Sequence, residues 1–468
     1  MSNYGVVNEE VILQLKTLCG NTGVLTDIES LIQYGSDETE DLVFMPVIVV
    51  KPDSAAQVSS VMKIASRHKI PVTPRGAGTG LSGGALPLFG GIVLSTEKLN
   101  RIISIDEQNL QATVEPGVIN QVFRDAVEAK GLFYPPDPAS RGSCFLGGNL
   151  AENAGGPKAV KYGVTKDYVL NCEVVLPDGE IIWTGANVLK NSTGYNLTQL
   201  MIGSEGTLGI ITKIVFRLIP KPTEDLLMLV PFSSAEKACE AVSAVFRAGI
   251  TPSAMEFMER DAIDFVMRFH QSSLVIKPHI NAHLIIEVDG FDREVLMRDC
   301  EKISEVMMQH DCDEVMFADT ASQKAELWKL RRAAGEAVKS HSVYKEEDTV
   351  VPRAQLPALL KGVKAIGQKY GFRSVCYGHA GDGNLHVNII KENMSNEDWN
   401  IKIPTGIKEI FELCYQLGGT ISGEHGIGYV QKNYLPLVFN KRQIEVQQKI
   451  KAVFDPLNIL NPGKIFPD

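Results

Sequence analysis

The sequence predicts a multidomain α+β protein, and three observations carry that reading. Its 468 residues exceed what one hydrophobic core usually organises, so two or three domains are expected. Short β-branched and apolar runs alternate with amphipathic helical runs along most of the chain. The break Pro220-Lys221-Pro222 separates two such series.

Composition narrows the class. Apolar residues at 44% and charged residues at 22% exclude wholesale disorder and fibrous architecture. With 46 basic against 56 acidic residues the net charge is -10, which argues against general nucleic-acid affinity. No apolar run reaches the roughly 20 residues of a membrane span. The first ten residues lack the basic and apolar regions of a signal peptide. Eight scattered cysteines without a C-x-x-C pair read as buried thiols, not as a disulfide frame or an iron–sulfur ligand set. A soluble cytoplasmic protein is the expectation.

The elements follow in order. Val11, Ile12, Leu15 and Leu18 lie at helical spacing over 8–19. Val47–Val50 is a strand stopped by Lys51-Pro52, and Ser54 caps a helix whose Val58, Val61, Met62 and Ala65 share a face. Ile70–Thr73 resumes the extended chain, giving a strand–helix–strand unit that ends in the glycine-rich loop 75–84. Strands are expected at 92–95, 102–105 and 110–114, then a helix from about 118 to 130 closing on Gly131. Segment 132–168 reads as a long functional loop system. Strands 172–176 and 180–183 are joined by a Pro-Asp-Gly turn, and 209–219 is a further strand. Beyond residue 222, strands 226–230, 282–288 and 386–390 alternate with helices 235–248, 291–310, 322–340 and 405–417; a last helix covers 441–454. The expected division is an N-terminal helical segment 1–40, a first domain 41–221, a second 222–430 and a C-terminal segment 431–468.

Gly78-Thr79-Gly80-Leu81-Ser82-Gly83 fits G-x-G-x-x-G, yet the Rossmann context fails because the loop runs into another strand and opens no helix. Its backbone N–H groups can still converge on phosphate oxygens as a nest. Pro136-Asp137-Pro138, the run Gly147 to Gly156, Lys161-Tyr162-Gly163 and Gly203 to Gly209 add further glycine-rich stretches in the same domain. Several such loops together suggest close backbone approach to an extended polar cofactor.

As an ordered set, these motifs resemble the flavin domain of the vanillyl-alcohol oxidase / p-cresol methylhydroxylase (PCMH) family. Within it the chain is most similar to the D-2-hydroxyacid dehydrogenase branch, over about residues 40 to 466. That resemblance implies a two-lobed, PCMH-type FAD-binding domain, a second α+β substrate domain and a C-terminal segment returning to the flavin. It implies that Pro74, Arg75, Gly76, Ala77, Gly78, Thr79, Gly80, Leu81 and Ser82 wrap the pyrophosphate. Pro136, Asp137, Pro138 and Ser140, with Gly147, Gly148, Asn149 and Asn153, would line the ribityl and isoalloxazine portions. Gly156, Lys161, Tyr162, Gly163 and Val164 would continue that wall. Glu205, Gly209 and Ile210 would sit at the adenine end, and Asn461 would return from the tail. The glycine loop offers no His, so non-covalent FAD is expected.

The second domain carries His379-Ala380-Gly381-Asp382-Gly383-Asn384-Leu385-His386, with Asn388 on the strand face of His386, and later Ser422-Gly423-Glu424-His425-Gly426. Two His plus a carboxylate is a metal-ligand set that leaves positions for substrate. By the resemblance, His379, His386 and Glu424 hold one divalent ion (Zn, Mn, Fe or Co), and His425 lies beside the flavin. Oxidising a 2-hydroxy acid moves the hydroxyl proton to a base and a hydride from C2 to flavin, and His425 is the candidate base. Arg331, in Leu-Trp-Lys-Leu-Arg-Arg, is the candidate clamp for a substrate carboxylate, and Asn388 and Lys345 join the candidate catalytic set. Lys345 precedes Glu346, Glu347 and Asp348, which read equally as a surface charge run.

The implied activity is FAD-dependent oxidation of D-lactate, glycolate or D-2-hydroxyglutarate to the 2-oxo acid. Electrons would pass to a separate acceptor: an electron-transfer flavoprotein, a quinone-linked partner or an iron–sulfur subunit. An oxidase using O₂, or a flavin-binding electron-transfer subunit without its own substrate, are the alternatives. A homodimer or hetero-oligomer is compatible with the sequence.

Overall fold

The computed structural model describes residues 4–271 and 276–467. The chain forms two compact units: Met1–Gly155, Val164–Lys221 and Glu424–Asp468 make the first, and Gly156–Gly163 with Pro222–Gly423 the second. The Pro220–Pro222 break thus coincides with a crossing between units. The short excursion of Gly156–Gly163 into the second unit has no counterpart in the sequence pattern.

In the first unit, β1 (Val24–Leu25), β2 (Ile48–Val50), β3 (Val72–Arg75) and β4 (Ile92–Ser95) form a sheet of order β1-β2-β4-β3. β2, β4 and β3 are parallel, with helix Ala55–His68 as the crossover between β2 and β3. Ser54 caps that helix by accepting from the N–H of Gln57, and Val58, Val61, Met62 and Ala65 are buried. β2 and β4 are buried throughout, as parallel strands covered on both faces should be. The tail completes this sheet: Val72 donates to Ile459 O and Asn461 donates to Val72 O, each at 2.7 Å. Ile459 and Leu460 thereby join the same core.

An antiparallel sheet follows, built from β5 (Ile102–Asp106), β6 (Gln111–Val114), β8 (Val169–Val175), β9 (Ile181–Trp183) and β10 (Ile210–Arg217) in the order β5-β6-β10-β8-β9. The short strands β7 (Leu132–Phe133) and β11 (Ile219–Pro220) pair separately. Phe123, Tyr134, Tyr168 and Phe216 meet edge-on or tilted as an aromatic cluster. The stretch 132–168 is less irregular than expected, since it holds helices Leu146–Glu152 and Ala159–Tyr162.

The second unit is one seven-stranded sheet. Its strands are β12 (Glu224–Phe232), β13 (Ala254–Glu259), β14 (Ala282–Gly290), β15 (Met316–Ala318), β16 (Tyr344–Val350), β17 (Arg373–Gly378) and β18 (Asn384–Ile390). The order is β15-β12-β14-β13-β17-β18-β16, with every pair antiparallel. Helices Arg260–Phe269, Ala321–Arg332 and Ala334–His341 pack on one face, against Leu227, Met258, Ile285, Val375 and Tyr377. The opposite face meets helix Leu356–Tyr370, whose Lys364 reaches Glu259 and Ser374.

Two expected helices differ from the structure. The run 322–340 divides at Ala333, whose ψ of -1° ends the first helix. The helix expected at 405–417 starts earlier, at Asn396 under a Ser395 cap, and runs through Pro404. Proline removes only one ladder donor, and the flanking Trp399, Ile403, Ile407 and Ile410 are buried on either side of it. Among the described residues no cysteine is bridged, and six of the eight cysteines are buried. Among the described residues no helix is long and apolar enough to cross a membrane.

Candidate active site

In the first unit the loop after β3 is shaped by backbone. Gly78 and Gly83 hold φ of 76° and 73°, a region that glycine enters without a Cβ clash. The loop faces the start of helix Leu146–Glu152, where a Cβ on Gly76 would lie 3.8 Å from the Gly148 nitrogen. At Gly80 and Gly148 a Cβ would meet nothing within 4 Å. The Ser82 hydroxyl is buried and has no hydrogen-bond partner among the described residues. A buried hydroxyl of this kind implies a further polar group. Half-buried loop backbone, open space at Gly80 and Gly148 and an unsatisfied hydroxyl fit a phosphate-bearing cofactor.

Several residues expected around that cofactor instead spend their side chains on the scaffold. Arg75 turns its guanidinium to Ser36 O at 2.7 Å and over the Tyr34 ring, and burial lowers its pKa. Asp137 is paired with Arg124 and Arg141. Asn149 accepts from Asn120, and Asn153 accepts from Lys166 N. Gly209 and Ile210 lie where β10 begins, and Ile210 is in the core.

Glu205 and Asn461 form a clamp. The buried Glu205 carboxylate accepts from Ile427 N at 2.8 Å and Gly428 N at 2.6 Å. Asn461 Nδ2 donates to Glu205 O and Gly84 O, so the tail is fastened to the glycine loop. Burial pushes the Glu205 carboxyl up to about 6 despite those backbone donors, and burial beside Glu205 pushes Glu152 well above the usual range. The neighbouring Lys464 ammonium is lowered by burial to about 7 while donating to Leu86 O.

Tyr162, expected in the flavin wall, turns its hydroxyl to an acid of the second unit. Gly156–Gly163 belongs to the second unit, where Tyr162 donates to Asp289 at 2.7 Å. Lys161 reaches the same carboxylate at 2.6 Å, and Lys158 pairs with Glu287. Glu287 and Asp289 are buried acids on β14, and buried carboxylates require such partners. Val164, just past this stretch, is capped by Asp167.

The second unit gathers its chemistry on one sheet face. Register places Asp348 opposite His386, Glu346 opposite Asn388, and His386 opposite Tyr377. Residues directly opposed share a face, so these side chains converge with Met258 and Glu256 of β13. The turn between β17 and β18 packs closely on the chain just past β16, since a Cβ on Gly383 (φ 88°) would come 2.0 Å from Val351 O. That turn brings the ring nitrogens of His379 and His386 within 4.8 Å of each other, with ring centroids 5.4 Å apart. Glu346 Oε1 lies 3.4 Å from His386 Nδ1. Asp348 is held by Asn384 Nδ2 at 2.6 Å and by Gly423 N at 2.8 Å. Arg331 lies over the Tyr377 ring at 5.2 Å, with Nη2 2.7 Å from Glu256 Oε2. Asn388 is fully buried, and its Oδ1 and Arg331 Nε lack hydrogen-bond partners among the described residues. Two imidazoles with adjacent oxygen donors fit a divalent cation, and the unsatisfied amide and guanidinium fit a polar ligand beside it.

The structure therefore brings together His379, His386, Asn388 and Arg331. Lys345 is not among them: it pairs with Ile389, and strand alternation turns it to the opposite face. Its acidic neighbours are no surface run, because Glu347 and Asp348 are buried. Glu424 and His425 open the stretch that rejoins the first unit, where Glu424 accepts from Gly155 N at 3.0 Å. Glu256, Glu346, Asp348 and Tyr377 were missed by sequence reasoning. The one available signal was an acid inside an apolar strand pattern, Ala-Met-Glu-Phe-Met.

Comparison with known proteins places this geometry. Residues 221–465 match the family described as FAD linked oxidases, C-terminal domain, and residues 46–185 match the FAD binding domain. The chain belongs to the FAD-linked oxidase family. As such an oxidase it binds FAD, through the domain that holds the glycine loop. It is 39% identical over 464 residues to the glycolate oxidase subunit GlcD of Bacillus subtilis, covering 98% of this chain and 97% of that one. It is 37% identical to a D-lactate dehydrogenase of Anaerostipes hadrus, covering 99% and 98%. A D-2-hydroxyglutarate dehydrogenase of Stutzerimonas stutzeri is 35% identical, covering 97% and 98%. Among solved structures, this FAD-linked oxidase shares the fold of p-cresol methylhydroxylase, with TM-score 0.81 at 19% identity over 98% of this chain and 96% of that one. A 4-ethylphenol oxidase from Gulosibacter chungangensis gives TM-score 0.78 at 19% identity, covering 100% and 99%. The expected two-lobed PCMH-type fold is thereby met.

Proposed function

We propose that this protein removes two electrons and two protons from a D-2-hydroxy acid, giving the 2-oxo acid, and passes the electrons to a separate acceptor. The observation that carries the reading is the buried sheet face on which two imidazoles, the unsatisfied Asn388 Oδ1 and a buried Arg331 guanidinium meet. Relatives named for glycolate, D-lactate and D-2-hydroxyglutarate support the substrate class, since all three carry a hydroxyl beside a carboxylate.

In this reading His379, His386 and Glu424 hold one divalent ion, and the loops 74–82 and 147–149 hold FAD without a covalent tether. When bound, the flavin supplies the hydride acceptor and the ion supplies a Lewis acid that lowers the hydroxyl pKa. Arg331 binds the substrate carboxylate through its planar donors, which a Lys could not match. Asn388 Oδ1 accepts a hydrogen bond from the substrate. His425, as a neutral imidazole, takes the hydroxyl proton. The buried surroundings exclude water from these contacts and strengthen them. Lys345 has no part, because it lies on the other face of β16.

The deciding experiment is anaerobic mixing of the yellow protein with D-lactate, glycolate and D-2-hydroxyglutarate. Bleaching of the flavin band by at least one of them, and not by the L-enantiomers, is the expected result. Unbleached flavin with every 2-hydroxy acid would show that the chain is an electron-transfer subunit instead.

A further inference from the structure

We infer that Glu256 is a positioning residue that aims the metal-binding nitrogen of His379 and, through the same carboxylate, holds the Arg331 clamp; the inference rests on the metal reading above. Glu256 is fully buried on β13, two residues before Met258, which pairs with Tyr377 on the strand leading to His379. Its Oε1 and Oε2 lie 2.9 and 3.0 Å from His379 Nδ1. An ionised carboxylate only accepts, so Nδ1 carries the hydrogen and the lone pair falls on Nε2. A metal ligand needs this tautomer, and a carboxylate behind the imidazole both fixes the ring plane and raises its basicity.

Arg331 supplies the counter-charge. Its Nη2 stands 2.7 Å from Glu256 Oε2, and the Tyr377 ring lies against its guanidinium. A buried carboxylate without a cation would be costly, and the guanidinium removes that cost without requiring charge on His379. One side chain thus sets two groups at once: the imidazole that faces the ion and the guanidinium that faces the substrate carboxylate. The alternative is that Glu256 only neutralises Arg331 inside the sheet face.

The test uses purified FAD-loaded protein stripped of metal and titrated with Co²⁺, read by its visible d–d bands and by chelator competition. Glu256→Gln keeps an acceptor near Nδ1 and loses the charge; its Co²⁺ affinity should fall by about 10- to 100-fold with a changed d–d spectrum. The flavin spectrum should stay as in the native protein, and KM for the 2-hydroxy acid should rise more than kcat falls. Glu256→Asp keeps the charge for Arg331 while withdrawing the carboxylate by about 1.5 Å, so it should fold and still lose Co²⁺ affinity. It decides the matter should the Gln variant not fold. A folded yellow variant with native Co²⁺ affinity and spectrum overturns the inference and leaves the metal site standing. Native protein that takes up no Co²⁺ overturns the metal reading itself.

Discussion

Gly428 donates its backbone N–H to Glu205 Oε2 at 2.6 Å, so a carboxylate in the turn that leads into β10 fastens the chain just past Glu424 and His425. The same residue holds Asn461 by its carbonyl. Burial nevertheless favours its neutral form, and the resulting tension has a pH signature.

Glu205 is raised from 4.5 to about 6, so its contribution is fully present below about pH 4.5 and is lost as pH rises through about 6. The loss is on the order of 2 kcal/mol at neutral pH. Thermal unfolding of the native protein should therefore weaken between pH 5 and 7 more steeply than that of Glu205→Gln. Equal slopes for the two proteins would show that Glu205 is not the titrating group.

Flavin attachment can be read directly. The loop 75–84 holds no His or Cys, so acid precipitation should release FAD into the supernatant. Yellow colour retained by the washed pellet would count against a non-covalent site.

Metal and flavin should separate genetically. His386→Ala removes one of the ligands assigned to the ion, and bound divalent metal should drop by about 10²-fold or more. The flavin loops belong to the other unit, so FAD content should persist. His425→Ala should keep the metal and lose turnover. Full activity of the native protein after chelation would remove the metal from the mechanism.

Reoxidation should need a partner. The eight cysteines are scattered and six are buried, so no iron–sulfur relay is carried in the described chain. Artificial dyes should support turnover well above the rate with O₂. Stoichiometric peroxide at comparable rate would assign an oxidase.

The glycine loop, the His379–His386 hairpin and the break at Pro220–Pro222 were legible because each depends on residue types with one dominant physical use. Glycine at positive φ, imidazoles flanking a tight turn and paired prolines are local signals. Glu256 and Asp348 were not legible for the opposite reason. A charged residue is read as exposed, and only the register of β13 and β16 in a sheet whose neighbours are distant in sequence turns them inward. The helices flanking Ala333 and running through Pro404 were misjudged because the burial of their apolar faces outweighs local propensity.

The excursion of Gly156–Gly163 has a consequence for how this protein can be cut and recombined. Lys158 and Lys161 neutralise Glu287 and Asp289, and Tyr162 donates to Asp289, from a piece of chain that is flanked on both sides by the first unit. Residues 222–423 are therefore no portable cassette. Grafted alone onto another flavin domain, they would carry two buried acids without the lysines that pair with them here, so this strap must travel with them.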